Sequence, residues 1–587
     1  MNVSVLISPN WERAHPQECS LTSPESAMTS PQPQPRLNRR SLIKATGVGG
    51  LVIGAGALAT VALPASAAAF GWSDDGSNYV VDTGADLVFK VSKSNGDLNS
   101  FVHRGVEYQG YGKNSHVESG LGASTVTISA SGSTILITVV HGSLIHYYAA
   151  RSGENNIYMW TYKAADSVTM QRYIVRLKPG LLTFTGGDAW DSAATTTIEA
   201  GDVFRATDGT THSKHYSGLR VMDYDYIGAK NAAGTVGIWM VRSNHEKASG
   251  GPFFRSLLRS GSTGSPDLYE IVWYNMAQTE AQRYGLHGPY ILSFTDGGAP
   301  SSALYARNLT TSWADGLGIR SHVPASGRGR VAGVGINGRD AAYTYTVGFA
   351  NTDAQYWAVV NAGTGYFSCP GMLPGTYTMT VYKDELAVQT GSVTVTAGGT
   401  TTLNTITITG DPSTAPAVWR IGDWTGSPKG FKNADLMTYA HPSDPRAAAW
   451  TGNFIVGTSA VSAFPCYQWV AVNNDLLVYF KLTAAQAAAA HTLRIGLSAS
   501  YAGGRHRVSV NGWTSAIPAA PGNSGTRSLT VGAYRSYTST LTYAVPASAF
   551  QTDTAQWNVL KLSVVSGSSG DGYLSPGLAF DCIDLLA

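Results

Sequence analysis

Apolar and polar residues alternate with a period of two along much of the chain from Phe70 onward. Thr125-Val126-Thr127-Ile128 and Thr134-Ile135-Leu136-Ile137-Thr138-Val139 flank Ala130-Ser131-Gly132-Ser133. This pattern predicts a hairpin with one apolar face. Ile157-Tyr158-Met159-Trp160-Thr161-Tyr162, Arg172-Tyr173-Ile174-Val175-Arg176-Leu177 and Val236-Gly237-Ile238-Trp239-Met240-Val241 predict further strands. Helical periodicity is scarce, and its one weak instance spans residues 299–316. A large antiparallel β-sandwich over 68–325 accounts for this pattern.

A second unit is expected over 326–412. Leu373-Pro374-Gly375 is a turn feeding a strand in which Tyr377, Met379 and Val381 alternate with threonines. Ser392-Val393-Thr394-Val395 and Thr405-Ile406-Thr407-Ile408 follow. Its length and patterning predict a small fibronectin-III or immunoglobulin-like sandwich. Asp411-Pro412-Ser413-Thr414-Ala415-Pro416 is a linker by composition. Residues 413–587 form a third strand-rich unit, with clear strands at Leu493-Arg494-Ile495-Gly496-Leu497, Val508-Ser509-Val510 and 559–565. A jelly roll is the expected fold. The whole is all-β.

Composition agrees and narrows the function classes. Charged residues make up only 13% of the 587, with 66 glycines, which favours short strands and tight turns over helices. A net charge of +2 offers no basic stripe for nucleic acid and no single-sign field for a membrane surface. The 14 tryptophans and 30 tyrosines suit sugar stacking, although a large β core also consumes aromatics. A monomer is expected.

The N-terminal 1–67 read as a leader. Arg36-Leu37-Asn38-Arg39-Arg40 holds a twin-arginine pair, followed by a Gly/Ala-rich apolar run and Pro64-Ala65-Ser66-Ala67. Basic region, apolar region and small-x-small site describe a cleaved export signal for the twin-arginine route, with Met28 a plausible start. A membrane anchor is the competing reading, and the glycines at 47, 49, 50, 54 and 56 weigh against it. After cleavage the product is expected to be extracellular and free of membrane. Cys369, Cys466 and Cys582 then remain, an odd number, with Cys466–Cys582 the one conceivable bridge.

Two stretches carry candidate chemistry. Thr210-Thr211-His212-Ser213-Lys214-His215-Tyr216-Ser217 sets a lysine between histidines, and Tyr284-Gly285-Leu286-His287-Gly288-Pro289-Tyr290 sets a histidine before a constrained turn. Lysine, histidine and tyrosine move protons near neutral pH. Arg172 and Arg176 lie four apart on one strand and share a face, where a guanidinium fork can neutralise a carboxylate. Base, clamp and acid together describe β-elimination from a uronic acid. The bland readings are a solvated lysine, a structural histidine and a histidine pair, His212 and His215, that lacks a third metal ligand. A hydrolase would need two carboxylates, for which Asp188 and Asp191 are the best pair. A non-catalytic carbohydrate-binding adhesin is the remaining alternative. No cofactor is required by these motifs, and a structural calcium at Asp571, or at Asp581 with Asp584, is the one metal reading.

Several motifs together resemble the fungal-type rhamnogalacturonan lyases, polysaccharide lyase family 4. They are Asn156-Ile157-Tyr158-Met159-Trp160, Arg172 to Leu177, Ser213-Lys214-His215-Tyr216-Ser217, Ser249-Gly250-Gly251-Pro252-Phe253-Phe254-Arg255 and Gly285-Leu286-His287-Gly288-Pro289-Tyr290. Leu373-Pro374-Gly375-Thr376-Tyr377, His441-Pro442-Ser443-Asp444-Pro445-Arg446 and Tyr501-Ala502-Gly503-Gly504-Arg505 extend the match through the later units. The resemblance implies a secreted enzyme acting on the rhamnogalacturonan I backbone of pectin, with a fibronectin-III-like middle domain and a carbohydrate-binding-like jelly roll. It places the base on Lys214 and the acid on His287. It puts Arg172 or Arg176 on the substrate carboxylate. His215, Tyr216, Tyr284 and Tyr290 are the further candidates for binding substrate.

Overall fold

The alternating runs become strands in the computed structural model. It describes residues 69–587 except 111, 166–169, 185–194, 200–202, 214–218, 256–258, 263–264, 274–278, 306–311, 435–440, 449–451, 523–536 and 567–575. The expected hairpin forms from Thr125–Ser131 and Thr134–His141, paired from Thr125↔Val140 to Ser131↔Thr134. It is one edge of an eight-stranded sheet. The other strands, in order, are Leu144–Arg151, Asn156–Lys163, Gly285–Thr295, Gly237–Arg242, Tyr226–Lys230 and Thr183–Phe184.

Both faces of that sheet are covered, which is why its central strands read as almost continuous apolar runs. On one face Ile137, Met159, Met240 and Leu292 pack with Phe89 and Phe101 of an N-terminal five-stranded sheet and with Tyr173, Val175 and Leu268 of a four-stranded sheet. On the other, Tyr147, Trp160, Trp239 and Ile291 are covered by Leu304, Tyr305, Trp313 and Ile319. The weakly helical segment is thus a lid of short 3-10 turns, Ser302–Leu304 and Ser312–Ala314. Its apolar spacing reflects packing onto the sheet rather than a helix.

In the middle unit a strand Gly375–Lys383 buries Tyr377, Met379 and Val381 and turns its threonines outward, as the period requires. The sheet Gln355–Val359, Tyr345–Ala350, Gly375–Lys383, Leu386–Val395 faces a smaller one built on Gly329–Gly333. The third unit is a sandwich of two five-stranded sheets. One centres on His491–Tyr501 and Gly577–Leu586, the other on Asn558–Val565. Trp419, Phe464, Trp469, Ile495, Leu562 and Phe580 lie between them.

The proposed Cys466–Cys582 bridge is absent: Cys369, Cys466 and Cys582 are buried free thiols. The register explains it. Phe580 N–H donates to Cys466 O at 3.0 Å, so Cys466 sits beside Phe580, while Cys582 pairs with Gly422 and Gly496. Among the described residues no helix is long and apolar enough to cross a membrane.

Candidate active site

The strand Gly285–Thr295 runs between Asn156–Lys163 and Gly237–Arg242. Strict alternation would put His287 and Tyr290 on opposite faces. They share one face because the strand carries an extra residue: Tyr290 pairs with Met159 and His287 with Thr161, three residues against two. Gly288 makes the bulge. Its φ is +125°, and a Cβ there would lie 2.7 Å from Met159 O. Asn244 Nδ2 and Ser243 Oγ donate to the carbonyls of Gly288 (2.9 Å) and Pro289 (2.7 Å), which the bulge removes from the ladder. The rings of His287 and Tyr290 then stack at 5.5 Å.

Both rings point into the space between the two sheets. There the four-stranded sheet supplies Glu270, opposite Tyr173 on the neighbouring strand. His287 Nε2 lies 3.0 Å from Glu270 Oε1. Arg242 completes the cluster, ion-paired through Nε to Glu270, bonded through Nη1 to the Tyr224 hydroxyl and through Nη2 to Ile271 O at 3.1 Å. Burial pushes the Glu270 carboxyl up, but the Arg242 charge and the His287 hydrogen bond outweigh it and hold it below the usual carboxylate value. Glu270 is therefore the acceptor and His287 Nε2 carries the proton. His287 Nδ1 is buried with no hydrogen-bond partner among the described residues.

A second layer steadies the rings. Thr161 Oγ1 sits 2.9 Å from both Tyr290 Oη and His146 Nδ1, and His146 stacks on Tyr173 at 5.4 Å. Burial drives His146 down to about 3 and keeps it neutral, and it raises the Tyr290 and Tyr173 hydroxyls well above their ordinary value. Tyr290, a candidate for substrate binding, is an interior ring, 2% exposed, stacked on His287.

The two arginines lie elsewhere. On Gln171–Arg176, Tyr173 and Val175 face the core, so Arg172 and Arg176 project from the other face of the four-stranded sheet. The structure does not bring them against His287. They also differ from each other. Arg176 is ion-paired to the buried Asp267, its partner in register. Arg172 is held only by neutral groups, Nε to Glu118 O at 3.0 Å and Nη2 to Ser119 Oγ at 2.8 Å. Near it burial pushes the Glu118 carboxyl up and the Lys163 ammonium down. Arg172 thus keeps a charge that no carboxylate touches among the described residues.

Lys214, His215 and Tyr216 lie outside the described residues, as do Asp188 and Asp191. The strand Thr211–Ser213 leads directly into Lys214. Tyr284 is 38% exposed at the mouth of the His287 strand. Sequence reasoning missed Glu270, Arg242 and His146. A signal existed for Glu270: in Leu268-Tyr269-Glu270-Ile271-Val272 it occupies the inward phase, where a charge is anomalous.

For the calcium reading, Asp571 is outside the described residues. Asp581 Oδ1 accepts backbone N–H groups from Thr425 (2.9 Å), Gly426 (2.8 Å) and Ser427 (3.2 Å). Asp584 is held by Arg420, Arg494 and Trp424 Nε1. These carboxylates are occupied by donors, and among the described residues no group of three or more His, Cys, Asp or Glu is arranged to hold a metal.

Comparison with known proteins follows the same three-part division. Residues 70–321 match the family described as "Rhamnogalacturonan lyase B, N-terminal". Residues 327–403 and 417–585 match "Polysaccharide lyase family 4, domain II" and "domain III". The chain is 41% identical over 526 residues to "Rhamnogalacturonate lyase A" of Emericella nidulans, covering 88% of this chain and 96% of that protein. It is 40% identical over 524 residues to "Rhamnogalacturonate lyase A" of Aspergillus aculeatus, with the same coverage. An all-β chain of three units, matched along nearly its whole length, belongs to polysaccharide lyase family 4, the family of the rhamnogalacturonate lyases.

Proposed function

We propose that this protein is an exported rhamnogalacturonan lyase that cleaves the rhamnose–galacturonate backbone at O4 of galacturonate. A guanidinium neutralises the substrate carboxylate and acidifies the hydrogen at C5. The base, Lys214, takes that proton. The C5–H electrons form the C4=C5 double bond, the C4–O4 bond breaks, and His287 protonates the departing oxygen. The new non-reducing end is a 4,5-unsaturated galacturonate. Of the two arginines Arg176 is already committed to Asp267, which favours Arg172 as the clamp; it projects from the face of its sheet away from His287, so both act on one galacturonate only if substrate binding draws them together.

One observation carries the assignment of the acid: a buried histidine held at Nε2 by an ionised glutamate, with Nδ1 unpartnered among the described residues. Such a carboxylate fixes the ring's orientation and holds the proton on Nε2. His287 has no accessible surface in this state, so substrate binding must open a path to Nδ1. Secretion by the twin-arginine route rests on the N-terminal motif alone.

The test is incubation with rhamnogalacturonan I while following ultraviolet absorbance of the conjugated double bond. A rise supports elimination. New reducing ends without a rise mean hydrolysis, and neither change means a binding protein. Lys214→Ala should abolish the rise with the fold intact, and retained activity removes Lys214 from the mechanism.

A further inference from the structure

A cleft of about 510 Å³ lies between the first and second units. Its floor is the outward face of the second unit's larger sheet. On Gly375–Lys383 the alternation that buries Tyr377, Met379 and Val381 turns Thr378 and Thr380 out, and the residues in register with them are Ala350 and Gly348. Two small residues beside two threonines hollow the sheet surface. Tyr382, next on the same face, closes one side. A Cβ on Gly348 would stand 3.0 Å from Tyr382 Cε2, so the ring lies against that glycine, and Phe253 of the first unit meets it edge to face with centroids 5.0 Å apart.

The roof is the first unit's segment Glu280-Ala281-Gln282-Arg283. Arg283 pins it to both units: Nη1 donates to Ala248 O at 2.8 Å and Nε to Asn351 O at 2.9 Å. Its charge is met by Glu280 Oε2 at 2.7 Å, which also accepts the Gly250 N–H at 3.0 Å. The Arg283 side chain is 4% exposed and that of Glu280 31%. Of the two charged groups that line the cleft, the cation is therefore interior and the carboxylate meets solvent. Gln282 Nε2 is buried with no hydrogen-bond partner among the described residues. Such a donor is completed by a group from outside the chain, a water or a ligand.

These features select a class of ligand. The volume is that of a small-molecule site. A fixed aromatic wall, threonine hydroxyls and an amide donor suit the C–H and O–H faces of a sugar ring. The exposed charge is negative, so a uronate here would be repelled by Glu280. We propose that this cleft is a carbohydrate site, separate from the His287 cluster, that binds a short neutral oligosaccharide. The inference rests on the family's action on polysaccharide and not on which residues transfer protons. The oligosaccharide is a neutral side branch of the polysaccharide or a free chain.

Isothermal titration calorimetry of the full-length protein tests this with galactotriose, and with trigalacturonate as the charged counterpart. Galactotriose should give a saturable isotherm that trigalacturonate does not compete away. The double variant Thr378→Ala/Thr380→Ala should bind galactotriose roughly 10-fold more weakly, because two hydroxyl contacts are lost. Tyr382→Ala should weaken it similarly, and Glu280→Gln should let trigalacturonate displace it. If Tyr382→Ala fails to fold, the double variant decides, since its threonines face out of the sheet. The KM of the double variant on a polymer bearing neutral galactose branches, set against the debranched polymer, identifies the source. A KM raised only on the branched polymer means a side branch, and unchanged KM on both means a free oligosaccharide. No saturable binding of galactotriose, or wild-type affinity in the double variant, would overturn the proposal. So would displacement of galactotriose by trigalacturonate in the wild type. The calorimetry needs no turnover, so failure of this site and failure of the lyase reading are told apart.

Discussion

Glu270 and His287 stand on different sheets and meet side chain to side chain, Oε1 to Nε2 at 3.0 Å, in an interior closed to water. The contact ties a proton-transfer candidate to a fixed negative charge, and the Arg242 ion pair keeps that charge in place.

Replacing Glu270 with Gln keeps the shape and removes the charge. The ring loses the carboxylate that fixes its orientation, and with His287 as the acid kcat drops roughly 10- to 100-fold. Arg242 is left buried and uncompensated, which costs about 3 kcal/mol of stability. Steady-state kinetics and urea denaturation of Glu270→Gln test both, and an unchanged kcat would count against His287 as acid.

Arg172 and Arg176 separate a substrate clamp from a structural pair. Arg172→Ala should reduce kcat/KM roughly 10- to 100-fold with a small change in melting temperature, because it removes the charge offered to the substrate carboxylate and, within the protein, hydrogen bonds to Glu118 O and Ser119 Oγ but no ion pair among the described residues. Arg176→Ala should do the reverse. It removes the ion pair of the buried Asp267 and costs about 2 to 4 kcal/mol of stability, with a smaller effect on kcat/KM. Steady-state kinetics beside thermal melts resolves them, and the opposite pattern would reassign the clamp to Arg176.

Two buried histidines should each cost stability in mild acid. His146 and His506 are fully buried, and burial lowers each to about 3 from an ordinary value of 6.5. Both stay neutral in the folded state while the unfolded chain takes up protons below pH 6.5. Their contribution is therefore complete above that pH and is lost as pH falls toward 3. At pH 5 the loss is about 2 kcal/mol for each. Urea midpoints at pH 7 and pH 5 measure it, and His506→Gln should flatten the dependence by about one proton. Glu118, raised by burial to about 8, and Asp581, raised to about 7, act in the opposite direction, so the decisive result is the comparison with His506→Gln: an unchanged slope there would show that this imidazole is not held neutral.

Gly288 should tolerate no side chain. Its positive φ and the 2.7 Å approach of a Cβ to Met159 O leave no cheap adjustment. Gly288→Ala should destabilise by about 3 kcal/mol or more and reduce activity by shifting His287. Calorimetry and the absorbance assay check this, and a wild-type melting temperature would show that the bulge relaxes.

Much of the architecture was legible in the order of the residues. The period-two runs around Val126, Met159, Tyr377 and Leu560 record which side chains face a core, and that record is local, since side chains alternate along any pleated strand. Three all-β units follow from it. The motifs around Lys214, His287 and Arg172 supplied candidates, because proton transfer and carboxylate binding need those side-chain types. Tertiary structure alone decided the rest. The bulge at Gly288 turns His287 and Tyr290 to one side against their spacing. Pairing between remote strands joins Glu270 to His287, commits Arg176 to Asp267 and leaves Arg172 without a carboxylate partner among the described residues. Strand register keeps Cys466 from Cys582, and the docking of the third unit brings Asp444 onto Thr211. Each of these depends on which segments lie side by side, and strand pairing joins residues tens to hundreds of positions apart with no local signature.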